Sequence, residues 1–145
     1  MKKKITSNSS CPCGSKIKYK KCCAIYHKGA IPKTALLLMR SRYSAYATYN
    51  SAYIMKTTHC DNSDYTTDSK VWKESIEFFT KSTEFLGLTV LESIDGEDES
   101  FVIFKAKLSS GEMLEKSRFL KVDGCWLYES GEISHEIGCI SSANI

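Results

Sequence analysis

The chain has no apolar run that could cross a bilayer. Its longest, Ala35 to Met39, falls far short of the roughly 20 residues a spanning helix needs. It also has no export-signal core, because the lysine-rich start Lys2-Lys3-Lys4 leads into polar residues. The expected location is therefore the cytosol. Internal repeats and low-complexity tracts are absent too, which sets aside fibrous and solenoid architectures. No acidic residue precedes Asp61. Residues 1 to 60 hold 12 of the 20 Lys and Arg, and all 17 acidic residues follow. The front of the molecule is basic and the remainder acidic, so an anionic partner is expected for the front.

What is present fits one ordinary core with a small satellite module: 145 residues, 42% hydrophobic and 26% charged. Seven cysteines would mean disulfides in a secreted domain. In a reducing compartment metal ligation or free thiols is the better reading. Four of them, Cys11, Cys13, Cys22 and Cys23, lie within thirteen residues, whereas Cys60, Cys125 and Cys139 are scattered.

The cluster is spaced C-x-C-x8-C-C, with Pro12 inside the first pair and Gly14-Ser15 after it. Soft thiolates suit zinc, and four of them close a tetrahedral shell, which describes a structural site. Iron fits the same sulfur cage. A small polar head cannot fold on apolar burial alone, so a metal would supply most of its stability. Neighbouring Cys22 and Cys23 can serve one ion only if the backbone turns between them, and His27 is the alternative fourth ligand. Four thiolates on a divalent ion would carry a charge of −2, which leaves the front basic. Lys18, Tyr19, Lys20 and Lys21 set positive charge and an aromatic beside the cluster, a patch suited to an acidic protein surface or to phosphates.

Beyond a linker from His27 to Lys33, apolar residues fall at helical spacing from Thr34. Leu36, Met39, Tyr43 and Tyr46 form one stripe, with Arg40, Arg42 and Ser44 off it, and this predicts an amphipathic helix. Asn50 or Ser51 caps a second short helix carrying Tyr53, Ile54 and Met55. A polar loop from Cys60 to Ser69 leads to a third helix that starts near Asp68 or Ser69, with Trp72, Ile76 and Phe79 on its apolar face. The tyrosines at 43, 46, 49 and 53 read as core, as do Trp126 and Tyr128. After Thr83 the pattern becomes β, over Phe85 to Glu92, Phe101 to Leu108, Met113 to Val122 and Cys125 to Glu129. Asp123-Gly124 is the two-residue loop of a type I′ hairpin. The expected fold is an α+β domain, three helices covering one face of a curved antiparallel sheet, with a pocket beneath the helices.

Arg42, His59 and Arg118 are candidates for that pocket and together would suit a small anion. The competing reading has the arginines, Arg40 included, paired with Glu115 or another carboxylate, or solvated. Polar Ser117 on a middle strand needs a buried partner. His59 beside Cys60 has no third orienting group, so Cys–His catalysis is not the favoured reading; the chain reads as a non-enzymatic binding module, with an enzyme or anion receptor as the alternative.

Two stretches resemble known families. Cys11-Pro12-Cys13-Gly14-Ser15 through Lys18-Tyr19-Lys20-Lys21-Cys22-Cys23 is similar to the SEC-C motif, the zinc-binding element best known at the carboxyl end of the protein-export ATPase SecA. Lys16 stands where that motif usually has a second glycine, which should alter the turn and leave the ligands intact. Leu38 to Tyr46, Leu86 to Val90 and Lys116 to Leu120 resemble the bacterial YchJ-like family. That resemblance implies a SEC-C knuckle over residues 1–28, a domain similar to nuclear transport factor two, a cystatin-like cone, over 33–133, and an irregular tail over 134–145. The SEC-C resemblance implies docking on an acidic protein, as SecA's knuckle contacts the chaperone SecB; the basic head alone would also suit a ribosome, with nucleic acid the weaker alternative. Related cones often dimerise through the exposed sheet face. Members of the family often carry a second SEC-C motif at the end, whereas here Cys139 stands alone.

Overall fold

The computed structural model describes residues 4–135; Cys139 and the remainder of the expected tail lie outside them. The head is a set of tight turns. Ser10 and Lys18 form an antiparallel bridge, the Cys11 amide donates to the Ile17 carbonyl at 2.8 Å, and a 3-10 turn at Tyr19–Lys21 runs into α1 (Cys23–His27). Then come α2 (Ala35–Ala47), α3 (Ser51–Lys56) and α4 (Ser69–Ser82), followed by β1 (Phe85–Ile94), β2 (Glu99–Leu108), β3 (Gly111–Val122) and β4 (Cys125–His135).

The helix starts follow side-chain capping chemistry. Thr34, Asn50 and Asp68 accept from the amides of Leu37, Tyr53 and Val71 respectively, each satisfying a donor the helix itself cannot. The strands form an antiparallel meander in the order β1-β2-β3-β4. Asp123 (φ 51°) and Gly124 (φ 81°) are both left-handed, as a type I′ hairpin requires. Register shifts in β1, and at Arg118/Phe119 between β3 and β4, bend the sheet in the way bulges do. β4 runs past Glu129, where the sequence pattern ends, so Ser134 and His135 are strand, not tail.

The concave face carries Val102, Phe104, Ala106, Met113, Phe119, Trp126 and Tyr128, all buried against the helices. Trp72 and Ile76 of α4 are buried as expected, and Phe79 packs edge-on against Tyr46 and Phe85. Tyr49 departs from its stripe. It follows the end of α2 at φ 62° and is 50% exposed, because the chain has already left the helix there.

The larger correction concerns α2. It is not amphipathic: Ser41, Arg42 and Ser44 are as buried as Met39 and Tyr43. One side of the helix lies on the sheet, and the cysteine head covers much of the other, so the polar positions meet protein and not water.

Two polar residues on β3 lie inside the cone. Glu115 and Ser117 are fully buried, with Glu115 Oε2 accepting from the hydroxyls of Ser117 and, at 2.9 Å, Tyr128. Gly131 leaves the room this cluster needs, since a Cβ there would press on Glu115 Oε2 and lie 2.6 Å from the Tyr128 oxygen. Gly131→Ala is therefore expected to cost about 1–3 kcal/mol in chemical denaturation, as overpacking of a filled interior does; a neutral effect would show that the cluster can shift.

Candidate metal centre

Cys11, Cys13, Cys22 and Cys23 converge, their four Sγ atoms all lying within 4.8 Å of one another. The Cys13 and Cys22 sulfurs are 3.6 Å apart. Thiolates tetrahedrally disposed about an ion at a Zn–S distance of about 2.3 Å would be about 3.8 Å apart, so the sulfurs are already near the spacing of a four-thiolate site. The turn needed between the adjacent cysteines is present. Cys22 sits between the 3-10 turn and α1 at φ −125°, ψ −112°, a conformation belonging to neither helix nor strand, and both sulfurs face the cluster.

Cys11, Cys13 and Cys23 are almost wholly buried; Cys22 is partly open. The thiols are electrostatically linked. Hydrogen bonds from Cys11 and Cys23 pull Cys13 well below the ordinary thiol range. The bonds Cys23 gives to Cys11 and Cys13, with burial, push it far above that range. Burial raises Cys22 to about 11 against help from Ser15. A lone thiolate is thus solvated by its neighbours, and ionising all four demands a cation among them.

His27 is not part of this cluster. Its Nε2 donates to the Ser41 carbonyl at 2.8 Å, and its Nδ1 accepts from the Tyr19 hydroxyl at 2.6 Å. A carbonyl can only accept, which fixes the tautomer and occupies both ring nitrogens. Tyr19 is accordingly half-buried, turned inward from the basic patch in which its sequence position sets it, while Lys18, Lys20 and Lys21 are exposed. Lys16, Ile17 and Ile25 are exposed beside them.

The cone completes the surroundings. Ser44 Oγ lies 3.3 Å from Cys11 Sγ, Arg40 Nη1 donates to the Cys13 carbonyl at 2.6 Å, and Leu88 packs on the sulfurs. A Cβ at Gly14 would fall 2.8 Å from the Leu88 carbonyl oxygen, so only glycine permits this approach. The sequence reading did not connect Arg40, Ser41 and Ser44 with the cysteines. Their spacing on one helix face was the available signal. Lys16 adopts φ 68°, a conformation that glycine takes without strain, so the lysine bears the cost of this turn.

The other candidates separate. Arg118 lies on the sheet's outer side, paired with Glu99 at 2.6 Å and Glu129 at 3.0 Å, and the Ser130 hydroxyl together with Arg118 holds the Glu129 carboxyl below its usual range. His59 is held by its backbone to Tyr128 and accepts at Nδ1 from the Asp61 amide at 3.0 Å. His59, exposed Cys60 and exposed Asp61 form a second group with metal-ligating side chains, but they are consecutive residues on one turn.

Arg42 alone of the expected trio lines the cavity beneath the helices, a space of about 650 Å³. It is 2% exposed. Its Nη1 donates to the Ile54 carbonyl, Thr57 Oγ1 and Thr58 Oγ1, its guanidinium stacks 4.6 Å from the Tyr128 ring centre, and its buried Nε has no hydrogen-bond partner. An unmet buried donor of this kind costs about 1–3 kcal/mol.

Among the described residues no helix is long and apolar enough to cross a membrane.

Two substitutions probe the head. Lys16→Gly is expected to raise its stability by up to about 1 kcal/mol, by relieving the left-handed strain; a lower melting temperature would contradict the strain. Burial lowers the His27 pKa below its usual 6.5, so its neutral form stabilises the fold above pH 6.5 and that contribution fades as pH falls through the lowered value. The ring should titrate below 6.5 by NMR, and His27→Gln should lose this acid-side component; a midpoint above 6.5 would refute it.

Residues 34–131 match the model of the YchJ middle NTF2-like domain, and residues 8–24 match the SEC-C motif. A UPF0225 protein of Serratia proteamaculans is 42% identical over 130 residues, covering 83% of this chain and 81% of its own. The solution structure of a SEC-C motif containing protein from Rhodopseudomonas palustris is 30% identical with a TM-score of 0.74, over 86% of this chain and 98% of that one. A crystal structure of another from Psychrobacter arcticus is 29% identical with a TM-score of 0.70, over 91% of this chain and 86% of that one. With a thiol knuckle packed on an NTF2-like cone, this chain belongs to the YchJ-like family of SEC-C motif proteins, whose relatives carry the name UPF0225.

Proposed function

We propose that the chain binds one zinc ion through Cys11, Cys13, Cys22 and Cys23 and uses the knuckle so formed to dock, without chemistry of its own, on an acidic protein surface in the cytosol. The observation that carries this reading is the convergence of four thiols, three of them buried, directly behind an exposed basic face. Zinc when bound would supply cross-linking of the head and neutralisation of its thiolates. Four sulfur donors leave no position for substrate, which supports a structural role. Iron in the same cage is the alternative metal.

Lys16, Lys18, Lys20 and Lys21 are exposed on the same short head as Ile17 and Ile25, which are 48% and 46% exposed. Positive charge together with exposed apolar side chains suits a protein partner better than a bare phosphate backbone, since charge steers and the apolar residues supply contact. An acidic export chaperone such as SecB fits this chemistry by resemblance; the ribosome is the competing anionic surface.

Elemental analysis should find one zinc per chain, and Cys22→Ser and Cys23→Ser should each lose most of it. Purified SecB and purified ribosomes should be tested in parallel against the native chain, the chelated chain and a Lys18→Glu, Lys20→Glu, Lys21→Glu variant. The expected outcome is retention by SecB that weakens with salt, disappears in the variant although its metal remains, and disappears on chelation. Retention that survives verified metal removal would overturn the docking role, and retention by ribosomes alone would replace the partner.

A further inference from the structure

The cavity beneath the helices is walled differently at its two ends. Buried Arg42, Tyr46 and Tyr128 lie at the inner end, and the mouth opens beside the exposed Ser75 and Phe78 of α4. Between them Trp72, Ile76 and Phe79 offer an apolar wall. Its volume of about 650 Å³ falls within the roughly 300–1,000 Å³ of small-molecule sites.

The inner end contains an incomplete hydrogen-bonding set. Arg42 is fixed through Nη1, the Tyr128 ring and the Tyr46 hydroxyl, yet its Nε–H is buried and unpartnered. Buried polar groups are nearly always paired, and an exception calls for a missing partner. No side chain or carbonyl among the described residues accepts from this Nε–H. The missing partner is an acceptor, and a charged acceptor makes the stronger, planar-matched bond to a guanidinium. Asp64, exposed and also lining the cavity, disfavours a second negative charge on whatever enters.

We propose that this cavity is a binding site for a small monocarboxylate with an apolar body, its carboxylate engaging the Arg42 guanidinium and its aromatic or branched aliphatic part lying against Trp72, Ile76 and Phe79. The site makes no use of the cysteine cluster or of the basic face, so it stands or falls independently of the docking function.

The test uses the full, metal-loaded chain and defined probes: benzoate, phenylacetate and isovalerate, each against its neutral amide. The readouts are the Arg42 Nε–H resonance in heteronuclear NMR and the fluorescence of Trp72, with Trp126→Phe removing the second indole. At least one acid should shift the Arg42 resonance and bind about tenfold or more tightly than its amide, the difference expected of a charge-assisted contact. Ser75→Trp, which narrows the mouth from an exposed position and should leave the melting temperature unchanged, should weaken that binding about tenfold as read by the Arg42 resonance alone. Arg42→Lys should abolish the preference for acid over amide; if that variant fails to fold, Ser75→Trp and the Nε–H shift decide the matter. No shift with any acid up to about 20 mM, a range that captures even weak ligands, would overturn the proposal, leaving water as the partner of Nε. Equal binding of acids and amides, or acid binding untouched by Ser75→Trp, would overturn it as well.

Discussion

The structure depends on α2 being enclosed from two directions. The sheet takes one side through Tyr43 and Met39, and the cysteine head takes much of the other through Cys11 beside Ser44, Arg40 on the Cys13 carbonyl and His27 on the Ser41 carbonyl. Most helices at the surface of a small domain spend one face on water. Here that face is spent on the thiol cluster, so head and cone share a core element. The head is too small and polar to fold on burial alone, and the cone would expose a buried serine face without it. Each therefore supplies a surface that the other requires.

This arrangement explains why the head's polar contacts are so definite. Tyr19, His27 and Ser41 form a chain of hydrogen bonds ending on a helix carbonyl, and the His27 ring packs between Tyr19 and Tyr53. A histidine four residues after the last cysteine is thus a fastener between layers and not a ligand. The thiols turn inward and the lysines outward, so one small element carries a set of soft donors behind and positive charge in front.

The cone has its own buried polarity. Glu115, Ser117, Tyr128 and Arg42 sit among Phe104, Phe119 and Met113, where each charge must find partners within the protein. The acid has hydroxyls within reach; the guanidinium retains one unmet donor on an open cavity. Arg118 and His59 address Glu129 and the backbone elsewhere, so Arg42 meets Tyr46 and Tyr128 in the cavity where the sequence pointed to a histidine and a second arginine.

Much was legible in the sequence because it is local. The caps at Thr34, Asn50 and Asp68, the Asp123-Gly124 hairpin, the four strands and the cysteine spacing each depend on residues a few positions apart, and backbone sterics or side-chain reach fixes their outcome. Lys16 was expected to alter its turn, and the structure shows it taking a left-handed conformation itself. What only the tertiary structure decided is which surfaces meet. The periodicity of α2 distinguished apolar from polar positions correctly, but polarity alone does not say whether a serine faces water or another part of the chain. That depends on contacts between residues 11 and 44 or 27 and 41, far apart in sequence, and the same long-range packing sent Tyr19 inward, set Arg118 outside and left Arg42 on the cavity.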